Sequence, residues 1–155
     1  MKDMKFKKNK STIKDVIFGK NVTIVEPVNL YGCEISDNCF IGPFVEIQKD
    51  VKIGKNTRVQ SHSFICSKVN IGINCFIGHG VTFVNDKFYN NTIESNEKKL
   101  LKTKVGNNVL IGSNSTILPV IIENKVVIGA GSVITKKCHA KKKYAGNPAK
   151  QLKNK

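Results

Sequence analysis

Residues 35–54 read Ile35-Ser36-Asp37-Asn38-Cys39-Phe40-Ile41-Gly42-Pro43-Phe44-Val45-Glu46-Ile47-Gln48-Lys49-Asp50-Val51-Lys52-Ile53-Gly54. An aliphatic residue returns every six positions. It does so at Ile35, Ile41, Ile47 and Ile53, and then at Val59, Ile65, Ile71, Ile77 and, as an aromatic, Phe83. In a chain that is 40% hydrophobic, nine apolar residues in one phase have a chance of roughly 3 in 10,000. Four places after each of the first eight stand Cys39, Val45, Val51, Thr57, Ser63, Val69, Cys75 and Val81, all small or β-branched. Neither the helical period of 3.6 nor the strand period of 2 produces a repeat of six.

The pattern extends both ways. Phe18, Ile24 and Leu30 lead in, and Val105, Ile111, Ile117, Ile128 and Ile134 resume it after a break. Two steps fall short: Leu30 to Ile35, and Ile117 to Ile128. Of the 12 glycines, eight follow a repeat residue directly, as Gly42, Gly54, Gly72 and Gly78 do. Each hexad reads as a short strand and a corner. The aliphatic points inward, and so does the small residue near the corner. Glycine is expected to give the corner its unusual φ/ψ. Three hexads close a triangular turn, and turns stack at about 4.8 Å, so that backbone groups pair between turns. Fixed-period repeats of this sort define solenoids. Cys33, Cys39 and Cys75 then serve as small core fillers.

The chain reads as all-β and as a single domain over 1–155: first coils at 15–83, an inserted loop at 84–104, last coils at 105–138 and a basic tail at 139–155. The loop is polar, with Asn85, Asp86, Asn90, Asn91, Glu94, Asn96 and Glu97. A loop inside a regular solenoid is a natural carrier of function. The basic N-terminal segment, Met1 to Lys14, is expected to cap one end.

The formal net charge is +15, yet the excess is lysine and Arg58 is the sole arginine. Lysine suits bidentate base reading poorly, and aromatics do not interleave with basic residues, so a nucleic-acid partner is not expected. No apolar run reaches the ~18 residues that span a bilayer, and no secretory leader is read. The five cysteines show no C-x-x-C spacing and read as reduced thiols of a cytoplasmic protein. His62, His79 and His139 do not form a zinc pattern, and no metal is expected.

This repeat resembles the hexapeptide-repeat acyltransferases over residues 15–150. The resemblance implies a left-handed parallel β-helix, a homotrimer, acetyl-CoA as co-substrate and sites in clefts between subunits. Gly146-Asn147-Pro148-Ala149-Lys150 looks like the C-terminal signature of the CoA-using members. That implies a coenzyme along the last coils, beside Gly112, Ser113 and Ala130, with Lys136 and Lys150 toward its phosphates. Phe76-Ile77-Gly78-His79-Gly80-Val81-Thr82-Phe83-Val84-Asn85-Asp86 is similar to the N-acetyltransferases of nucleotide-linked 3-amino sugars, which serve bacterial surface glycans. Many members continue with proline-arginine where Tyr89-Asn90 stand here.

Acyl transfer from a thioester to an amine needs a neutral, positioned amine, donors for the oxyanion and an acceptor for the proton. His79, with His62 close behind, is the candidate base. Spaced 17 apart, they are expected near one corner on neighbouring coils. Asn85 is expected to hold the amine or a neighbouring hydroxyl. Asp86 either binds a sugar hydroxyl or caps the turn, and Gln60 lies on the acceptor side. The readings left open are a dTDP- or UDP-linked amino sugar, an O-acetyltransferase of a small hydroxyl acceptor, and a scaffold without activity.

Overall fold

The computed structural model describes residues 13–88, 96 and 99–153. The hexads fold as expected, into a parallel β-helix with three faces and no α-helix among the described residues. Strands are numbered in chain order. Face A stacks β1 (Ile13–Lys14), β4 (Asn29–Tyr31), β7 (Glu46–Ile47), β10 (Phe64–Ile65), β13 (Thr82–Phe83), β16 (Thr116–Ile117) and β19 (Val133–Ile134). Face B stacks β2 (Ile17–Phe18), β5 (Glu34–Ile35), β8 (Lys52–Ile53), β11 (Val69–Ile71), β14 (Thr103–Val105) and β17 (Ile121–Ile122). Face C stacks β3 (Thr23–Ile24), β6 (Phe40–Ile41), β9 (Arg58–Val59), β12 (Phe76–Ile77), β15 (Leu110–Ile111), β18 (Val127–Ile128), β20 (Lys143–Gly146) and β21 (Ala149–Gln151).

All pairs are parallel except β20 with β21. Registers align like with like: Leu30 beside Ile47, Ile47 beside Ile65, Phe83 beside Ile117. The nine residues from Ile35 to Phe83 are all buried, and so are the eight small partners from Cys39 to Val81. The polar members of the small column bond to corner carbonyls. Thr57 Oγ1 donates to Gly72 O at 2.9 Å, and Ser63 Oγ donates to Gly78 O at 2.8 Å. A larger residue would forfeit both the fit and the bond.

The irregular steps gather at one edge, where face A turns into face B. Leu30 to Ile35 and Ile117 to Ile122 cross it, and the insertion between β13 and β14 leaves from it. Residues 89–95 and 97–98 of that loop lie outside the described residues, as does the basic segment 1–12. The segment read as a basic tail supplies strands. Tyr144 pairs with Ile128 and is buried, and β21 folds back on β20.

The expected role of glycine needs correcting. The left-handed corner positions are held mostly by other residues: Asn38, Asn56 and Asn74 where face B turns into face C, and Phe44 and His62 where face C turns into face A. Gly54, Gly72, Gly78 and Gly112 are not among the residues with positive φ. They are glycine because the next coil lies too close: a Cβ on Gly54 would stand 2.5 Å from Gly72 O. Gly54→Ala is therefore expected to cost about 1–3 kcal/mol, the usual penalty of overpacking, and to lower Tm. An unchanged melting curve would show that the coils can part.

The B-to-C corner carries an asparagine ladder. Asn21 Nδ2 donates to Asn38 Oδ1, Asn38 to Asn56, Asn56 to Asn74, and Asn74 to Asn108, at 3.0 to 3.4 Å. Beside it, Asp37 accepts from Lys20 N and pairs with Lys55 at 2.9 Å. The bond from Lys55 holds the Asp37 carboxyl below the usual carboxylate range.

All five cysteines are buried and unpaired. Burial pushes the thiols of Cys33 and Cys138 up to about 11 and that of Cys66 up to about 12. Since the thiolate is the nucleophile, the folded protein is expected to leave a disulfide reagent unconsumed at pH 8 and to release five equivalents on unfolding. Fast reaction of the native chain would contradict this burial.

Candidate active site

The C-to-A corner gathers most of the residues singled out from sequence. Stacked along it are Gly42-Pro43-Phe44, Gln60-Ser61-His62, Gly78-His79-Gly80, Gly112-Ser113-Asn114 and Gly129-Ala130-Gly131. The backbone fixes the stack: His62 N donates to Pro43 O, Gly80 N to Ser61 O, Asn114 N to His79 O and Gly131 N to Ser113 O. The two histidines thus lie on adjacent coils, offset by one place. His79 stands over Ser61, and His62 stands under Gly80.

That offset gives each ring its own partner. Ser61 Oγ lies 2.8 Å from His79 Nδ1. His62 lies flat on Phe44, with ring centroids 4.7 Å apart and planes 15° from parallel. Both histidines are exposed. When the Ser61 hydroxyl accepts from Nδ1–H, Nε2 faces outward with its lone pair free to take a proton. Neither Ser61 nor Phe44 was singled out from sequence. The separation of 18 between Ser61 and His79 was the available signal.

The two glycine-bearing corners differ in one respect that bears on function. At the B-to-C corner, side chains cap the outer amides: Asn107 Oδ1 accepts from Ile73 N, and Asn124 Oδ1 accepts from Asn107 N. At the C-to-A corner the amides of Ser61, Ser113 and Ala130 have no acceptor among the described residues. A Cβ on Gly42, Gly78 or Gly112 would come within 2.7, 2.6 or 2.4 Å of those nitrogens. Glycine keeps the way to each amide clear. Open N–H groups in a row can receive a ligand carbonyl or a developing oxyanion.

Asn85 stands at the A-to-B corner, on the far side of β13 from His79. Its Nδ2 donates to Ser67 Oγ at 2.9 Å and toward Ser67 O at 3.4 Å. With both amide protons directed inward, Oδ1 remains to accept from a ligand amine. Asp86 Oδ1 accepts from Phe88 N at 2.8 Å and caps the turn. Lys136 is exposed at this same corner, higher up the stack, and Lys150 is exposed on β21 opposite Ala145. Within one chain, then, Gln60, His62, His79, Gly112, Ser113 and Ala130 share an edge. Asn85, Asp86 and Lys136 share another, and Lys150 sits on face C. A shallow hollow of about 400 Å³ on face B, lined by Glu34, Lys52, Asn70 and Lys104, holds none of these residues.

Residues 32–67 match the bacterial transferase hexapeptide family, described as six repeats, and residues 102–136 match the hexapeptide repeat of succinyl-transferase. Both matched stretches lie in the coils and carry a hexapeptide repeat. No curated protein sequence matches the chain. Among solved structures it is similar to a mutant of AntD, an N-acyltransferase from Bacillus cereus in complex with dTDP and coenzyme A. The TM-score is 0.79 and the identity 22%, over 90% of this chain and 83% of that one. A hexapeptide transferase family protein from Anaplasma phagocytophilum gives 0.75 and 20%, over 89% and 78%. A mutant perosamine N-acetyltransferase from Caulobacter crescentus, in complex with CoA and GDP-perosamine, gives 0.64 and 16%, over 93% of this chain and 58% of that one. At these identities the likeness is one of fold.

Proposed function

We propose that this chain is an acyltransferase that carries the acetyl group of acetyl-CoA to the amino group of a nucleotide-linked amino sugar. The observation that carries the reading is the C-to-A corner, where a Ser61-held His79 stands beside a row of open amides. The dTDP and coenzyme A of one similar solved structure and the GDP-perosamine and CoA of another support it. The acceptor we favour is a dTDP-3-amino-3,6-dideoxyhexose, destined for bacterial surface glycan.

The amine attacks the thioester carbonyl. A corner N–H, such as that of Ser113, receives the oxyanion. The C–S bond then breaks, CoA leaves as thiolate, and the ammonium proton passes to His79 Nε2 or to the departing sulfur. Asn85 Oδ1 accepts from the amine and Asp86 lies beside it. Gly112, Ser113 and Ala130 line the coenzyme, whose phosphates meet Lys136 and Lys150. His79 and Asn85 lie at different corners of a convex prism. We therefore assign the site to a cleft of a homotrimer, with His79 from one subunit and Asn85 from the next, acting in the cytoplasm.

Release of free CoA, followed with a disulfide reagent, tests this, because the protein's own thiols are buried. With acetyl-CoA and a panel of nucleotide sugars, release is expected with the dTDP-3-amino sugar. Release with a UDP-linked amino sugar alone would move the substrate. Release only with a hydroxyl acceptor would make the chain an O-acetyltransferase. Bound CoA without release from any sugar would defeat the proposal.

A further inference from the structure

The left-handed position of the C-to-A corner is held by Phe44, His62, Gly80, Asn114 and Gly131, with φ of 60, 61, 64, 58 and 67°. Glycine takes this conformation freely and asparagine readily, but a bulky aromatic there is an outlier. The backbone costs about 1–3 kcal/mol, and burial recovers little of that, because Phe44 is 57% exposed. The ring is nevertheless ordered by its stack on His62. Four residues earlier on the same two coils is a second stacked pair, with the Arg58 guanidinium 4.3 Å from the centre of the Phe40 ring. Arg58 is the sole arginine of a lysine-rich chain. Lys at that place would carry the charge without the flat, forked face.

An exposed aromatic platform with a fixed guanidinium on the adjoining face matches one ligand chemistry, a nucleoside diphosphate. A base stacked on an aromatic ring contributes about 1–3 kcal/mol, and a guanidinium grips two phosphate oxygens at once. We infer that Phe44, seated on His62, is the base-stacking residue for the nucleotide of the acceptor, with Arg58 on its diphosphate. The inference rests on the acceptor being nucleotide-linked, as proposed above. The spacing suits it. Phe44 lies two coils from His79, about 10 Å along the axis at the usual strand separation. A bent deoxyribose–diphosphate–hexose chain covers that interval between a base at Phe44 and an amine at His79.

The test is Phe44→Gly in the full chain, with dTDP and UDP as calorimetric ligands and no coenzyme. Glycine relieves the left-handed backbone, so Tm should hold or rise while the nucleotide Kd rises at least tenfold. In the transfer assay the loss should fall on the KM of the nucleotide sugar rather than on kcat. Arg58→Gln should weaken dTDP binding and leave thymidine binding nearly unaltered. A lower Tm with unchanged nucleotide affinity would make Phe44 structural and overturn the inference. So would failure of the wild-type chain to bind either nucleotide at millimolar concentration. Transfer by Phe44→Gly at the wild-type KM would overturn the platform and leave acetyl transfer standing. Nucleotide binding that Phe44→Gly abolishes, in a chain that acetylates no nucleotide sugar, would do the reverse.

Discussion

Replacing His79 by Asn is expected to lower kcat/KM for acetyl transfer by about 10²–10⁴, the usual contribution of a positioned base. His79 is exposed and its side chain hydrogen-bonds Ser61, so the fold should persist, with a stability change near ±0.5 kcal/mol. Most of the loss should appear in kcat, since the imidazole acts on the ammonium that forms during the reaction. Ser61→Ala should cost less, about tenfold at most, because it removes one hydrogen bond and leaves the base in place. A His79→Asn variant within threefold of wild type would assign the proton to the departing thiolate and reduce His79 to a corner residue.

Phe83→Ala is expected to remove about 3–5 kcal/mol of stability, a large part of the 5–15 kcal/mol typical of a folded domain. Phe83 is fully buried, beside Ile117 on face A. It is the largest of the fully buried side chains and the last inward residue before the insertion. The coils above and below are held at hydrogen-bonding distance and have little freedom to close a void. Phe83→Leu, which keeps most of the volume, should cost about 1.5 kcal/mol or less. Urea midpoints at constant m-value measure both. A loss below 1 kcal/mol for the alanine variant would mean that the interior at this level is not packed around the ring.

The interior was legible because a hexad has one inward aliphatic and one inward small residue. Counting in sixes therefore named buried positions directly, from Ile35 through Phe83. The counting failed where a corner was shortened. Ile134 to Cys138 is a step of four, so a count in sixes leaves Tyr144 outside the repeat, yet it sits beside Ile128. Glycine was visible as a marker, but its cause was not. The limit is set by the distance to the coil above, which no count along the chain contains. Of the site, the clustering of His62 and His79 followed from their spacing of 17. What distinguishes their corner is that, among the described residues, no side chain caps the amides of Ser61, Ser113 and Ala130. That contrast rests on Asn107 and Asn124 at a different edge. The pairings of Ser61 with His79 and of Ser67 with Asn85 join residues 18 apart. The spacing was there to read, but hydroxyl and ring had first to be placed on the same side of the turn.

The asparagine ladder has a bearing on how the protein keeps to itself. Identical amide side chains stacked at strand spacing are the arrangement that lets cross-β fibrils grow by adding chain upon chain. A solenoid with such a column and an open last coil would be a template for copies of itself. Here the column stops at Asn108, and the next two left-handed positions of that edge are Lys125 and Lys141. Above them β21 runs antiparallel on β20, closing the rim of face C to a parallel newcomer. Like charges at the growing edge and a reversed final strand are the means by which sheet proteins blunt their edges, and here both fall where the ladder would otherwise continue into another molecule.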